Sequence, residues 1–238
     1  MDPQTGRVWL TVECEPPKLR ENREHMPGRT FLRSKSVVWA GGSLLLLLSA
    51  AALYVMTGAA SSEPSRARQA GAGDVAFGPE HARLVVIEYS DFQCEFCARY
   101  APILATLRKT YADRVHFVFR FFPLNNHRYA MIAAQAAYAA FLQDEFWEMH
   151  DLLYEHQKEW SESADPRSSF DTYAESLGLD IDRFHSDMDA QTTTEFIRRQ
   201  LVEGTQAGVT RTPWFVIGDS AVFPRDTDEF KSLIEAAL

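Results

Sequence analysis

Residues 84–97 read Leu-Val-Val-Ile-Glu-Tyr-Ser-Asp-Phe-Gln-Cys-Glu-Phe-Cys, an apolar run followed by a Cys-x-x-Cys motif. The run at 84–90 is rich in β-branched and apolar side chains, which predicts a strand. After the motif, apolar residues recur at spacings of three and four, as on one face of a helix: Tyr100, Ile103, Leu104 and Leu107. The sequence therefore predicts a strand that delivers two cysteines to the first turn of a helix.

This placement favours redox chemistry at Cys94 and Cys97. Residues i and i+3 lie on one face of a helix, close enough for a disulfide between their side chains. The unpaired N–H groups and the positive dipole end at the start of a helix stabilise a thiolate on the first cysteine. We therefore expect Cys94 to be the exposed nucleophile and Cys97 the buried resolving thiol.

Two other interpretations of the motif are a structural zinc site and a disulfide without a redox role. Structural zinc needs four ligands, usually a second Cys or His pair at short spacing. The third cysteine is Cys14, far from the motif, and the nearest His pair, His150 and His156, is six residues apart. The order strand, motif, helix favours the redox interpretation, for which we expect no metal and no cofactor.

Residues 36–60 predict a transmembrane signal-anchor helix. The segment carries no charged residue, and about 20 apolar residues suffice to span a bilayer. Basic residues concentrate before it, at Arg20, Arg23, Arg29, Arg33 and Lys35. The positive-inside rule then leaves the N-terminus in the cytoplasm and exports the rest of the chain. A signal peptide cleaved near residues 58–60 and a buried core helix are the alternatives, which the long N-terminal region and the absence of a polar face disfavour.

This topology separates the cysteines. Disulfides persist outside the cytoplasm, so an exported Cys-x-x-Cys can work in the oxidised form, whereas Cys14 stays on the reducing side. From Ser61 onward the chain has 17 Lys plus Arg against 28 Asp plus Glu, a net charge of −11. An acidic domain is a poor partner for nucleic acid or for an anionic membrane surface, and the charge is also typical of a solubilising surface.

The chain divides into a disordered polar tail (1–35), the anchor helix (36–60), a flexible linker (61–74) and a folded domain (75–238). Within the domain, aromatic and β-branched residues predict a second strand at 115–122, and helical periodicity dominates from about 126 to 207. His127, His150 and His185 fall in this helical block, where we interpret them as surface or hydrogen-bonded residues. A strand at 214–217, a two-residue turn at Gly218-Asp219, another short strand and a helix at about 227–237 end the α/β domain.

Thr212-Pro213, directly before the predicted strand at 214–217, is a second informative motif. A proline that opens a strand donates no ladder hydrogen bond, and a cis X-Pro bond gives the backbone a sharp, fixed shape. An ordinary trans proline at a strand edge is the alternative.

Three segments together resemble the DsbA-like thiol:disulfide oxidoreductases, most closely their membrane-anchored bacterial branch. These segments are residues 88–97, residues 146–153 (Phe-Trp-Glu-Met-His-Asp-Leu-Leu) and residues 212–218 (Thr-Pro-Trp-Phe-Val-Ile-Gly). The resemblance covers about residues 75–238 and implies a thioredoxin-like fold with an inserted helical subdomain. It further implies that Cys94 reacts with substrate sulfur and Cys97 resolves the mixed disulfide. By the same resemblance Pro213 is cis, the backbone of Thr212 holds the substrate, and Glu88 is a buried acid that assists proton transfer near Cys97.

The sequence departs from this family in two places. Glu95 and Phe96 stand between the cysteines, with neither His nor Pro, and a carboxylate beside Cys94 opposes its thiolate. We therefore expect a less depressed Cys94 pKa and a weaker oxidant than the strongest family members. Arg211 stands where a glycine commonly precedes Thr-Pro, and we expect it near Glu95 or Cys94, where its charge would offset the carboxylate. Glu95, Phe96 and Arg211 are thus candidate redox-tuning residues.

The expected function is thiol:disulfide exchange in the periplasm or another extracytoplasmic space, by a domain tethered to the bacterial inner membrane through a single helix. Exported proteins with cysteines are the expected substrates, which gain disulfides, and a membrane redox partner recycles the dithiol. The alternatives are a reductase or isomerase that a membrane partner keeps reduced, and a non-catalytic module that binds one exported client.

Overall fold

The computed structural model describes residues 71 and 73–238. The predicted tail, the predicted anchor helix and most of the predicted linker lie outside these residues. Within the described residues, no helix combines the length and the apolar character needed to cross a bilayer.

Five strands form one mixed sheet in the order β1-β3-β2-β4-β5. The strands are β1 (Val75–Phe77), β2 (Leu84–Ser90), β3 (Val115–Phe121), β4 (Trp214–Ile217) and β5 (Ser220–Val222). β2 runs parallel to β3, and the other neighbouring strands are antiparallel. The central pair β2 and β3 is covered on both faces, which explains its nearly continuous apolar sequence. The predicted α/β class and the parallel pairing of the second strand are confirmed.

Eight helices surround the sheet in the part of the chain that the structure describes. They are α1 (Glu95–Thr110), α2 (Ala130–Phe141), α3 (Phe146–Glu155), α4 (Gln157–Ser161), α5 (Pro166–Ser176), α6 (Ile181–Asp189), α7 (Gln191–Gln206) and α8 (Thr227–Ala237). Helix α1 connects the parallel strands β2 and β3, α2 to α7 follow one another between β3 and β4, and α8 ends the chain. The motif cysteines therefore lie where the first parallel strand passes into the crossover helix.

The alternation of side chains along the central strands separates two cores. On one face, Val86 and Phe215 pack with residues of α1 and α8. On the other, Ile87 and Tyr89 pack with Val118 and neighbouring apolar residues. A third and larger cluster joins the helices between β3 and β4 to the aromatic end of β3. The dithiol belongs to this third cluster, at the point where the helices meet the sheet.

Two elements were absent from the sequence-based prediction. β1 has only three residues and pairs antiparallel with β3, and α4 has only five. Neither is long enough to establish a period of 2.0 or 3.6 residues, so local patterning could not predict them. The predicted two-residue turn at Gly218-Asp219 is confirmed, because Ile217 pairs with Ser220 across it.

Candidate active site

Cys94 and Cys97 occupy the start of α1. Cys94 is the N-cap residue with an extended backbone, and its carbonyl oxygen accepts a hydrogen bond from the N–H of Ala98 at 3.1 Å. Both cysteines are free thiols. Cys97 is fully buried, as predicted, but the prediction of an exposed Cys94 is wrong, because this residue is only 5% exposed. The backbone of residue 212 lies against its sulfur and covers it.

That covering segment contains a cis peptide bond between Thr212 and Pro213, as the family resemblance implies. The Cys94 thiol donates to the carbonyl oxygen of Thr212, with 3.5 Å between Sγ and O. The Thr212 side chain is also buried, and its hydroxyl oxygen has no hydrogen-bond partner. Once Cys94 loses its proton it can no longer donate to the carbonyl, and the Thr212 hydroxyl becomes available to donate to the thiolate.

The two thiols differ sharply in acidity. A hydrogen bond from the Cys97 thiol, with further donors at Thr212 and at the N–H groups of Cys97 and Phe96, lowers the pKa of Cys94 to about 6, against the opposing effect of burial. Burial, the hydrogen bond to Cys94 and the negative charge on Cys94 raise the pKa of Cys97 well above its usual value. At neutral pH the reduced site therefore carries one thiolate, on Cys94, while Cys97 keeps its proton.

The loop before Cys94 is fixed by the buried carboxylate of Asp91. One carboxylate oxygen accepts from the N–H of Gln93 at 2.7 Å. The other accepts from the N–H of Leu124 at 2.8 Å and lies 2.8 Å from Nδ1 of His127. The backbone oxygen of Asp91 accepts from the N–H of Cys94 at 3.0 Å. His127 is thus a hydrogen-bonded residue, as interpreted from the sequence, and it helps to hold the loop.

Gln157 ties the helices between β3 and β4 to the same loop. Its side-chain amide, at the start of α4, donates to the carbonyl oxygens of Phe92 at 2.7 Å and Cys94 at 3.0 Å. Sequence reasoning missed this residue, because a single glutamine in a helical region carries no motif.

Glu88 lies on β2 and is buried, with 6% of its surface exposed. One of its carboxylate oxygens, Oε1, has no hydrogen-bond partner. Burial raises the pKa of Glu88 to about 7, and the Ser90 hydroxyl and the positive charge of Arg108 partly oppose this shift. The structure therefore contains a buried carboxyl group that changes its charge near neutral pH.

Ser90 and Tyr154 join this buried polar region. The Ser90 hydroxyl and the Tyr154 hydroxyl are 2.8 Å apart and both buried. Tyr154 comes from α3, and its ring packs against Phe92 with 4.9 Å between ring centroids. No local sequence pattern indicates the hydroxyl contact of Tyr154, because its partner Ser90 is 64 residues away.

The three candidate tuning residues, Glu95, Phe96 and Arg211, are all exposed. Phe96 is 58% exposed, and the guanidinium of Arg99 lies over its ring at 4.5 Å. The guanidinium of Arg211 lies over the ring of Phe223 at 4.2 Å, and among the described residues no ion pair joins it to Glu95. Arg211 therefore contacts an aromatic ring, and its effect on Glu95 or Cys94 stays a prediction.

A cleft of about 620 Å³ opens beside Cys94. It is lined by residues from the motif and from α4 and its surroundings: Gln93, Cys94, Glu95, Phe96, Gln157 and Lys158 among them. Residues 71 and 73–238 contain no group of three or more His, Cys, Asp or Glu side chains arranged to hold a metal ion. The site thus combines one accessible edge of Cys94 with buried proton-carrying groups behind it.

Comparison with known proteins gives one family and a consistent set of folds. The sequence model of a family described as thioredoxin matches residues 71–236. A thioredoxin-like oxidoreductase from Silicibacter pomeroyi superposes with a TM-score of 0.61 at 22% identity, over 74% of this chain and 98% of the other. Oxidised BdbD from Bacillus subtilis gives 0.62 at 21% identity, over 69% and 92%. Wolbachia pipientis α-DsbA1 gives 0.62 at 18% identity, over 71% and 92%. At these identities the structures show a shared fold.

The curated relatives are much longer proteins. A Na⁺/H⁺ antiporter, NhaA 3, of Salinispora tropica is 38% identical over 141 residues, which is 59% of this chain and 21% of the antiporter. The antiporter NhaA of Herminiimonas arsenicoxydans is 35% identical over 140 residues, with the same coverage. The chain spans about a fifth of the length of the curated relatives it matches. The similarity therefore concerns one segment of those proteins.

Proposed function

Because the chain belongs to the thioredoxin family, we propose that it is a thiol:disulfide oxidoreductase that uses Cys94 and Cys97 to form disulfides in exported proteins. The observation that carries this proposal is the division of acidity between the two thiols. Cys94, with a pKa lowered to about 6, supplies the thiolate and the leaving group, while Cys97, with a raised pKa, keeps its proton.

The exchange proceeds in two displacements from the oxidised Cys94–Cys97 disulfide. A substrate thiolate attacks the sulfur of Cys94, a mixed disulfide forms, and Cys97 leaves as a thiolate that takes up a proton. A second substrate thiolate then attacks the substrate sulfur of the mixed disulfide, and Cys94 leaves as a thiolate. The substrate loses two electrons and the dithiol gains them. A leaving thiol of low pKa speeds the second displacement.

Several neighbouring groups support these steps. Thr212 offers its carbonyl oxygen to Cys94 beside the cis Pro213, and this position supports the proposal that the backbone of Thr212 holds the substrate. Glu88 supplies or takes the proton of Cys97, a task that suits a carboxyl group with a pKa raised to about 7. Glu95, Phe96 and Arg211 stay proposed tuning residues at the rim.

The membrane setting is part of the proposal. The uncharged segment 36–60 and the basic residues before it support a single-pass anchor, with the domain outside the cytoplasm. A membrane redox partner would then accept the electrons of the reduced dithiol. The curated relatives, which are antiporters with a similar segment, support a working position beside an integral membrane protein.

The test begins with Cys94→Ser and a reduced substrate protein whose activity returns with its disulfides. The wild-type protein should accelerate that return, and Cys94→Ser should abolish the acceleration. The matched variant Cys97→Ser should accumulate a mixed disulfide with the substrate, since Cys94 remains reactive and nothing resolves it. A non-catalytic client-binding module would instead bind the same client equally well with and without Cys94.

The reduction potential decides the direction of transfer. Equilibration with glutathione should give a value in the range of about −120 to −180 mV, which marks an oxidant. A value near −270 mV would mark a reductase or isomerase kept reduced by a membrane partner, and would overturn the oxidative direction.

A further inference from the structure

Four buried polar residues form a cluster that includes the inner cysteine of the dithiol. They are Glu88 and Ser90 on β2, Cys97 on α1 and Tyr154 on α3. None is more than 6% exposed. Glu88 and Ser90 are two residues apart on a strand, so their side chains point to the same face of the sheet. Tyr154 reaches this face from a residue 64 positions away and places its hydroxyl 2.8 Å from that of Ser90.

The Ser90 hydroxyl has enough donors and acceptors to link Glu88, Cys97 and Tyr154. Burial raises the pKa of Tyr154 well above its usual value, so the phenol stays protonated and can donate to Ser90. A serine hydroxyl has one proton to donate and two lone pairs to accept with. With Tyr154 as one donor, Ser90 keeps its own proton for an anion and one lone pair for a second donor. The Ser90 hydroxyl indeed favours the charged forms of both Glu88 and Cys97.

The small cavity that Glu88 lines does not reach the thiol. The cavity beside Glu88 has a volume of about 10 Å³ and is lined by Val86, Arg108 and Trp147 among others. A buried water needs about 10–15 Å³ and several polar partners, so this cavity is at the lower limit. Neither Ser90 nor Cys97 lines this cavity, and Oε1 of Glu88 has no hydrogen-bond partner in the structure.

We propose that Ser90 relays the proton between Cys97 and Glu88, and that Tyr154 is a positioning residue that holds Ser90 in the relaying orientation. This inference rests on the proposed exchange function. When Cys97 resolves a mixed disulfide, its S–H proton passes to Ser90 Oγ while the Ser90 proton passes to the Glu88 carboxylate. The Cys97 thiolate attacks the sulfur of Cys94, the Cys94–substrate bond breaks, and the substrate leaves as a thiolate. In disulfide donation the same transfers run in reverse.

Other ionisable groups surround the relay and act on its pH dependence. Arg108 from α1 lowers the pKa of Glu88, and the Cys94 thiolate raises that of Cys97. Opposite Glu88, the neighbouring strands present the uncharged Phe119 and Phe215. The other ionisable groups that act on or contact Tyr154 and Arg108 are Asp91, Glu148, His150 and Asp151.

The experiment uses the full chain with glutathione attached to Cys94 as a mixed disulfide, and follows glutathione release between pH 5 and pH 9. Wild-type release should rise to a plateau above about pH 7, where Glu88 is ionised. Ser90→Ala should be about tenfold or more slower at pH 7 and should recover towards the wild-type rate at pH 9, where hydroxide removes the proton. Tyr154→Phe should show the same pattern with a smaller loss, and Ser90→Thr, which keeps the hydroxyl, should restore release.

Tyr173→Phe is the matched control, because Tyr173 is a buried tyrosine of the same core cluster whose hydroxyl has no role in the relay. It should release glutathione at the wild-type rate at every pH. Wild-type rates and pH profiles in Ser90→Ala and Tyr154→Phe would overturn the relay. A loss that is equal at all pH values would also overturn it, since it would mark a purely structural role. Neither result touches the exchange function, whose own failure would appear as turnover that survives Cys94→Ser.

Discussion

Two ionisable side chains are buried on opposite faces of the same sheet, and their hydrogen-bond and ion-pair partners differ. Arg120 on β3 pairs with Asp74 at 2.6 Å and with Glu203 at 3.5 Å. Glu88 on β2 has a carboxylate oxygen without any hydrogen bond. The strand register places Arg120 beside Tyr89 and Glu88 beside Phe119, so the two charges are neighbours in the sheet that point away from each other.

The difference separates structural charge from functional charge. A buried ion is tolerated when partners compensate its lost hydration, and the Arg120 cluster meets this condition. A buried carboxyl group with an unsatisfied oxygen destabilises the fold, so its presence beside a reactive thiol needs another explanation. The proposed proton exchange with Cys97 supplies that explanation.

Arg120→Met should reduce the free energy of unfolding by about 3–5 kcal/mol, because it leaves Asp74 buried without its cation. Urea unfolding measures this loss. Arg114→Ala is the control, since Arg114 and Glu235 are both about half exposed and their pair contributes about 0–1 kcal/mol. An Arg120 variant as stable as the wild type would show that the paired charge is not structural and would remove the contrast with Glu88.

Glu88→Gln should stabilise the protein at alkaline pH by about 3 kcal/mol. Because folding raises the pKa of Glu88 from 4.5 to about 7, the folded state favours the protonated form. The resulting stability is complete below pH 4.5 and is lost as the pH rises through 7. Urea unfolding at pH 4 should therefore give nearly equal values for the two proteins, and at pH 8 the variant should be the more stable.

The same variant should resolve mixed disulfides more slowly than the wild type at pH 7, because glutamine accepts no proton. A Glu88→Gln protein that is less stable at pH 8 and equally active would place Glu88 with the structural charges, beside Arg120.

Thr212→Val should raise the pKa of Cys94 from about 6 by about one unit. The Thr212 hydroxyl is a second buried group without a partner on the reactive side of the molecule, and it is available to donate to the thiolate. Thiolate absorbance of the reduced protein against pH measures the shift, with Cys94→Ser as the baseline. An unchanged midpoint would mean that the unpartnered hydroxyl has no part in the chemistry.

Arg211→Ala should have the smallest effect. It should change the pKa of Cys94 by less than Thr212→Val does. Its guanidinium lies over the ring of Phe223, and among the described residues it forms no ion pair with Glu95. The same absorbance titration makes the comparison. A shift larger than that of Thr212→Val would instead restore the sequence-based prediction that Arg211 offsets the charge of Glu95.

The sequence predicted the elements whose side-chain pattern is local. The strand at Leu84–Ser90, the strand at Trp214–Ile217 and the helix at Thr227–Ala237 agree with their predicted ranges. Each of these elements has a strong hydrophobic periodicity or is bounded by a capping or turn residue. Cys94 and Cys97 are recognisable for the same reason, since their spacing and their position after a strand are visible in one short segment.

The contacts that complete the site could not be predicted in this way. Ser90 and Tyr154 are 64 residues apart, and Gln157 reaches Cys94 from 63 residues away. Such pairs depend on how the helices pack on the sheet, which no local pattern encodes. The burial of Cys94 depends in the same way on Thr212, 118 residues later in the chain. These long-range contacts explain why the exposure of Cys94 was predicted wrongly although its identity was recognised.

The double hydrogen bond from Gln157 has a practical consequence for protein engineering. A designer who trimmed the helices between β3 and β4, to obtain a minimal scaffold of sheet and flanking helices, would remove the amide that fixes the carbonyls of Phe92 and Cys94. The shortened scaffold would keep both cysteines but would lose the two hydrogen bonds that fix the turn before them. Any miniature version of this domain must therefore include a replacement donor at that position.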